Sequence, residues 1–219
     1  MPQACFVCAA PAADQVLCEA CRAALPAVAS ACCPHCALDS PGGAVCGRCL
    51  SQPPRFDATR AVFRYAFPVS ELVQAYKFQA RFGVGRYFAE QLVAAAHGLQ
   101  IDAVLPAPLH PHRLATRGFN QSVLLAEPVA KALGVPHLRD AVRKVRRVAP
   151  QAGLTLDERR RNLRGAFAVQ RRFDGMRVLV IDDVMTSGTT LDELAGALKE
   201  AGAARVEGLV VARTPAGPA

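Results

Sequence analysis

Apolar runs and segments with a helical period alternate along most of the chain. Positions 178–181 are all apolar, which is typical of a strand buried on both faces of a parallel sheet. In the segment 191–201, the leucines and Ala195 recur at three- and four-residue spacing, which predicts a helix with one apolar face. Strands that alternate with helices in this order predict an α/β fold with a parallel sheet flanked by helices.

The same patterns predict the other elements that follow residue 58. Alternation of apolar and polar residues predicts an edge strand over 59–67, and a basic loop is expected over 110–117. Pro128 lies inside a helical pattern that it should kink or limit, and Gly134 suits the C-cap of that helix. The further predicted helices cover 69–78, 86–97 and 120–133, and the further predicted strands cover 102–105, 135–142, 166–169 and 206–211.

Two adjacent carboxylates and a loop of small hydroxyl residues follow the apolar run at 178–181. Asp182 and Asp183 are expected where this strand emerges, at the carboxyl edge of the sheet, where open α/β sheets bind ligands. The hydroxyl loop, residues 186–190, brings backbone N–H groups and hydroxyls to a helix N-terminus, which suits a phosphate. Carboxylates for sugar hydroxyls beside a phosphate cradle predict a site for a ribose 5-phosphate.

Two other interpretations of the carboxylate pair compete with this one. A Walker B strand requires a Gly-x-x-x-x-Gly-Lys-Ser/Thr loop, and the sequence has none. An ordinary strand end with two solvated carboxylates is the second alternative. The adjoining hydroxyl loop favours ligand binding over that alternative.

Composition limits the architecture and the compartment. A chain of 219 residues, 52% of them hydrophobic, suffices for one good core and a small appendage. No apolar run approaches the ~18 residues of a membrane helix. The first residues do not join a basic segment to an apolar one, as a secretory signal would. We therefore expect a cytoplasmic protein without a membrane span.

All nine cysteines lie between Cys5 and Cys49. Eight of them form four Cys-x-x-Cys pairs, with nine residues between the first and second pairs and nine between the third and fourth. Two such pairs bring four thiolates to one ion, so this repeated spacing predicts two structural Zn²⁺ sites rather than a redox motif. The pairs are Cys5/Cys8, Cys18/Cys21, Cys33/Cys36 and Cys46/Cys49.

Two pairing schemes are open for these sites. Equal internal spacing favours tandem sites, in which the first pair joins the second and the third joins the fourth. A cross-braced scheme, first with third and second with fourth, is the alternative. Cys32 is left over in either scheme, and Ser51-Gln52-Pro53-Pro54 is typical of a linker. We predict a double zinc ribbon over 1–52 and an α/β domain over 53–219.

The formal net charge of +8 is local. The segment from Arg139 to Arg172 holds eleven Lys or Arg and three Asp or Glu, so it accounts for the whole surplus. A basic segment of this kind indicates a polyanionic ligand, either the phosphates of a small molecule or nucleic acid.

The ordered motifs resemble the competence protein F (ComF) family, bacterial proteins of the type I phosphoribosyltransferase kind with an N-terminal zinc ribbon. The resemblance covers nearly the whole chain, and the order of the motifs carries more weight than any one of them. Besides the four cysteine pairs, it rests on the segments 106–110, 117–121, 161–162, 165–167, 180–183 and 186–190 and on Gln151.

The resemblance implies phosphoribosyl pyrophosphate (PRPP) as the ligand, with Mg²⁺ bridging pyrophosphate and ribose oxygens. Asp182 and Asp183 would contact the ribose hydroxyls, and the hydroxyl loop would hold the 5-phosphate. The implied loop residues are Thr186, Ser187, Gly188, Thr189 and Thr190.

The resemblance also implies how the pyrophosphate is met. The turn containing Pro108 would face it, and Arg113 would be a charge partner. The segment 143–163 would be the mobile loop that closes over the site. The candidate catalytic residues lie in the motifs that carry the resemblance and are Arg117, Gln151 and Arg161.

The implied reaction is phosphoribosyl transfer to an unidentified acceptor. The bond from ribose C1 to pyrophosphate breaks with oxocarbenium character, so the protein mainly neutralises charge, positions the acceptor and excludes water.

The family name implies a role in natural transformation, handling single-stranded DNA. The alternative from another class is a DNA-binding or regulatory module that keeps this fold without turnover. The acceptor pocket is expected from residues 56–99, where no motif identifies the acceptor.

Overall fold

A four-stranded parallel sheet forms the centre of the computed structural model, which describes residues 3–145 and 165–216. The strands are β1 (Ala58–Arg64), β2 (Ala103–Pro106), β5 (Arg177–Met185) and β6 (Arg205–Arg213). They lie in the order β1-β6-β5-β2, and every neighbouring pair is parallel. The predicted parallel sheet is confirmed, with β1 at its edge.

Helices cover both faces of the sheet because β5 is apolar on both. Leu179 and Ile181 pack into a core with three helices on one face, whereas Val178 and Val180 pack with one helix on the other. The three are α3 (Val69–Gln79), α4 (Phe82–Ala96) and α6 (Gln121–Leu133), and the opposite one is α7 (Thr189–Glu200). In the described ranges no helix combines the length and apolarity needed to cross a membrane.

Smaller elements surround this layered core. An antiparallel pair is formed by β3 (Val142–Lys144) and β4 (Phe167–Val169). The N-terminal part holds two short helices, α1 (Glu19–Ala23) and α2 (Gly47–Ser51), and α5 (Pro111–Arg117) follows β2. Of the loop predicted over 143–163, only 143–145 lie within the described residues, and Gln151 and Arg161 lie outside them.

Three predicted elements differ from the structure. The strand predicted over 178–181 extends to Met185, because β6 continues to pair with it as far as Arg213. The segment 110–117 is a helix and not a loop, since Pro111 occupies the first turn and Gly118 closes the helix with φ of 82°. In the predicted strand 135–142, His137 makes one isolated bridge and the ladder begins only at Val142.

Candidate functional site

The two carboxylates lie where β5 runs past the end of its neighbour β2. The last pair between these strands joins Pro106 to Ile181, whereas β6 still pairs with Asp182 and with Met185. One side of β5 is therefore open to other groups from residue 182 onward. The site consequently lies at the carboxyl edge of the parallel sheet, although its acids belong to the strand itself and not to the loop after it.

Asp182 is held by hydrogen bonds from two directions. Its Oδ1 accepts from the hydroxyl of Ser122, at 3.0 Å, and from the backbone N–H of Asp183, at 2.9 Å. Burial, reinforced by the adjacent Asp183 carboxylate, raises the pKa of Asp182 to about 6, from an ordinary value of 3.8. The carboxylate would therefore be stabilised by a cation or by hydrogen bonds from hydroxyl groups.

Asp183 is buried and has one oxygen in an ion pair. The Nζ of Lys77, on α3, lies 2.8 Å from Asp183 Oδ1, and Asp183 as a whole residue is 3% exposed. Among the described residues, Oδ2 of the same carboxylate has no hydrogen-bond partner. Leaving a buried acceptor unpaired costs about 1–3 kcal/mol, so this oxygen is a natural place for a ligand donor.

The hydroxyl loop connects β5 to α7. Gly188 is the N-cap of α7 with φ of 81°, a left-handed conformation that favours glycine. The hydroxyls of Ser187 and Thr189 lie 2.7 Å apart and are buried, and the loop lines one cavity together with Asp182. The first N–H groups of a helix have no intrahelical acceptor, so this cavity offers donors to an anion next to a carboxylate.

Besides Lys77, the cationic side chains of Arg117 and Lys144 lie within electrostatic reach of the carboxylates, and Arg113 lies within reach of both cations. Burial lowers the pKa of Arg117, and the charges of Asp183 and Asp182 act against that shift. Burial likewise lowers the pKa of Lys144, with Arg113 adding to the shift and Asp182 opposing it. These couplings bring residues of α5 and β3 within electrostatic reach of the end of β5. A highly charged anion would be stabilised between them.

The position of Arg117 is fixed by neighbours on other elements. Its guanidinium donates to Gln121 Oε1 and lies 5.0 Å from the centroid of the exposed Phe78 ring. The turn before α5 is fixed as well, because the side-chain amide of Asn120 donates to the carbonyl of Ala107 at 3.1 Å. Pro108, the next residue, is partly buried at this edge of the sheet.

The cysteines form two separate clusters, and the tandem pairing is the one that the structure has. The first ribbon site consists of Cys5, Cys8, Cys18 and Cys21, and the second ribbon site consists of Cys33, Cys36, Cys46 and Cys49. Within each, all sulfur atoms lie within 4.8 Å of one another. Tetrahedral zinc with Zn–S bonds of about 2.3 Å would separate them by about 3.8 Å, so both sites fit zinc.

The two ribbon sites are also alike in their hydrogen bonds, as an internal repeat requires. Burial opposes the shift, but backbone N–H groups, including that of Cys18, lower the pKa of Cys5 to about 6. The pKa of Cys33 is lowered to about 6 in the same way, with the backbone N–H of Cys46 the largest favourable contribution. Thiolates stabilised by backbone donors are suited to a structural metal.

The structure brings most of the predicted site residues to one edge of the sheet. Asp182, Asp183 and the hydroxyl loop lie there, with Arg117 in electrostatic reach of both acids and Arg113 in reach of Arg117, whereas Gln151 and Arg161 lie outside the described residues. Lys77 is only weakly indicated by the sequence pattern and Lys144 is not, because their partners are known only once α3 and β3 are packed against β5. The position of Lys77 between Tyr76 and Phe78 was the one available signal.

Comparison with known proteins agrees with this two-part layout. The phosphoribosyl transferase domain model matches residues 120–219, and the double zinc ribbon domain model matches residues 1–50. Competence protein F of Haemophilus influenzae is 35% identical over 172 residues, covering 74% of this chain and 75% of that protein. The DNA utilization protein YhgH of Salmonella typhimurium is 34% identical over 224 residues, 98% of each chain.

A solved structure shows the same kind of similarity at a lower level. The glutamine phosphoribosylpyrophosphate (PRPP) amidotransferase from B. subtilis is 23% identical, with a TM-score of 0.43. The match covers 63% of this chain and 30% of the amidotransferase. The fold assignment therefore rests on the two domain models, the parallel sheet and the two cysteine clusters.

Proposed function

The chain belongs to the competence protein F (ComF) family, and on that premise we propose that it binds PRPP and transfers its phosphoribosyl group. The observation that carries the proposal is the buried Asp183 Oδ2, which has no hydrogen-bond partner among the described residues, beside Asp182 and the hydroxyl loop. Sugar hydroxyls and a phosphate, joined in one molecule, match both halves of this site.

The carboxylates face the ribose in this proposal. Asp182 and Asp183 accept hydrogen bonds from the two ribose hydroxyls, and Lys77 keeps Asp183 oriented through its other oxygen. Asp182 and Asp183 would hold Mg²⁺ near them by their negative charge, and the ion would neutralise charge on the phosphates of PRPP. A magnesium ion would also offset the repulsion between the neighbouring carboxylates.

The phosphates occupy the two flanks of the carboxylates. The 5-phosphate accepts hydrogen bonds in the hydroxyl loop, at the N-terminus of α7. The pyrophosphate lies toward the turn at Pro108, where Arg113, Arg117 and Lys144 provide positive charge. These groups stabilise the leaving pyrophosphate as the bond to C1 breaks, which requires positioning and charge rather than a named general base.

Calorimetry with PRPP and Mg²⁺ tests the donor site. We expect the double variant Asp182→Asn, Asp183→Asn to bind at least about tenfold more weakly, since each lost charge-assisted hydrogen bond is worth about 1.5–3 kcal/mol. Asp174→Asn is the matched control, because this exposed carboxylate pairs only with Arg172 among the described residues. Undiminished binding by the double variant would show that the ribose site is wrongly placed.

A second candidate function is a DNA-binding or regulatory role without turnover. It is favoured by the exposed Phe78 ring stacked on Arg117, since bases stack on aromatic rings and Arg binds their phosphates. The relatives' names, competence protein F and DNA utilization protein YhgH, connect this family with DNA. Pyrophosphate release that depends on Asp182 and Asp183 would support the transferase, and salt-dependent DNA binding without release would support the alternative.

A further inference from the structure

The hydroxyl loop lies next to the second ribbon site. Cys36, Arg48 and Cys49 line a cavity together with Ser187 and Gly188. Residues of the first ribbon site pack elsewhere, in the core on the α3, α4 and α6 face of the sheet. The two ribbon units are therefore repeats in sequence but pack against different parts of the α/β domain.

Arg213 joins the second ribbon site to the hydroxyl loop through backbone carbonyls. Its Nε donates to the carbonyl of Cys36 at 2.8 Å, and its Nη1 donates to the carbonyls of Met185, at 2.9 Å, and of Thr186. The residue is 3% exposed, and burial lowers its pKa. A buried guanidinium is stabilised here by the carbonyl dipoles of two separate parts of the chain.

Arg48 makes a second connection from within the ribbon. It lies in α2 between two zinc ligands, Cys46 and Cys49, and its Nη2 donates to the carbonyl of Ser187. The C=O and the following N–H of a trans peptide point in opposite directions. With the carbonyls of residues 185–187 directed at the two arginines, the N–H groups of residues 186–188 are directed away from them, as an anion-binding nest requires.

We propose that the second ribbon site positions the hydroxyl loop through Arg48 and Arg213, so that zinc at this site sets the affinity of the loop for phosphate. The phosphate part of this inference rests on the proposed PRPP function, whereas the ordering of the loop does not. Arg48 and Arg213 are positioning residues, since they act on the phosphate through the loop backbone.

The internal repeat indicates that zinc binding does not itself require Arg48. The two units are offset by 28 residues, as Cys5 and Cys33 show, and the position equivalent to Arg48 is Ala20. Ala20 belongs to α1, next to a four-cysteine cluster of the same geometry. The substitution Arg48→Ala therefore makes the second unit like the first and is expected to leave its zinc in place.

The test compares Arg48→Ala with Arg22→Ala, an exposed arginine beside Cys21 of the first ribbon site. We expect Arg48→Ala to keep its zinc content, to exchange backbone hydrogens faster at residues 186–190, and to bind PRPP about tenfold more weakly, the loss of about one hydrogen bond. Arg22→Ala should leave all three measurements unchanged. Unchanged exchange at 186–190 in Arg48→Ala overturns the proposal.

A second pair of variants removes zinc itself. Cys46→Ser and Cys18→Ser change equivalent ligands of the two ribbon sites. Faster exchange at residues 186–190 in Cys46→Ser alone supports the proposal, and equal effects from both variants overturn it. If the wild-type chain does not bind PRPP, the proposed function fails, while the exchange measurements still decide whether the second ribbon site orders the loop.

Discussion

Asp182 and Asp183 are adjacent residues with different surroundings. Asp183 contacts Lys77 on α3, whereas Asp182 contacts Ser122 on α6 and also lines the cavity of the hydroxyl loop. Asp183 has a cation at 2.8 Å, while among the described residues Asp182 accepts hydrogen bonds from a hydroxyl and a backbone N–H. Burial and the charge of Asp183 outweigh the opposing effect of Lys77, so the pKa of Asp182 is raised to about 6.

The raised pKa predicts how Asp182 affects stability. Its folded pKa of about 6 exceeds the ordinary 3.8, so its contribution is fully present below pH 3.8 and is lost as the pH rises through 6. Without ligand, Asp182→Asn should thus be more stable than wild type at pH 7.5, by about 3 kcal/mol, and this gain should shrink toward pH 4. Urea denaturation at both pH values measures it.

Replacement of Asp174 by Asn is the control for this stability measurement. Arg172 lowers the pKa of Asp174 through a hydrogen bond, so replacing this carboxylate should bring no gain in stability at pH 7.5. The Asn side chain at position 182 can still accept the hydrogen bonds from Ser122 and from the backbone of Asp183. If Asp182→Asn is less stable than wild type at pH 7.5, the carboxylate is stabilised by partners beyond Ser122, Lys77 and the backbone of Asp183, and the prediction is wrong.

At the scale of elements, the site depends on a strand that is longer than its apolar pattern. Sequence patterning could predict 178–181, because both faces are apolar there, but the two acids interrupt that pattern. Pairing with β6 extends the strand to Met185. Which strand pairs with β5 depends on the tertiary structure, so the local sequence pattern cannot predict this extension. The bridging arginines Arg48 and Arg213 were missed for the same reason, since their acceptors are carbonyls distant in the chain.

Gly188, in the turn from β5 to α7, is expected not to tolerate a larger side chain. An alanine there would adopt φ near 81°, and its Cβ would lie 2.6 Å from the Cε of Met185, with Phe56 also nearby. Left-handed backbone costs about 1–2 kcal/mol for a residue with a Cβ, and the collision adds to it. We expect Gly188→Ala to lose about 2–4 kcal/mol in chemical denaturation and to weaken PRPP binding in calorimetry.

Gly134→Ala separates the two costs. Gly134 has φ of 67° at the end of α6, and a Cβ there would meet no atom within 4 Å. The variant Gly134→Ala should therefore lose only the stability that left-handed backbone costs, and it should bind PRPP like the wild type. Equal losses of stability in the two variants, with PRPP binding retained in both, would mean that the loop adjusts around the alanine.

At the scale of the whole molecule, the ribbon sites take part in both cores. Cys5 packs in the core on the α3, α4 and α6 side of the sheet, and Cys33, Cys36 and Cys49 pack in the core on the α7 side. Arg55 continues this contact by pairing with Asp192 and Glu193 at the start of α7. The domain boundary predicted after residue 52 is therefore a boundary of composition across which packing is continuous.

This shared packing predicts that zinc stabilises more than the ribbon. Metal analysis should find two zinc ions per chain, one for each cluster of four cysteines. Removing them with a strong chelator should lower the melting temperature of the α/β domain too, because both cores lose part of their packing. Cys32→Ser, outside both clusters, should keep two zinc ions and the wild-type response. A melting transition of the α/β domain that is unchanged by chelation would mean that ribbon and sheet are energetically independent despite their contacts.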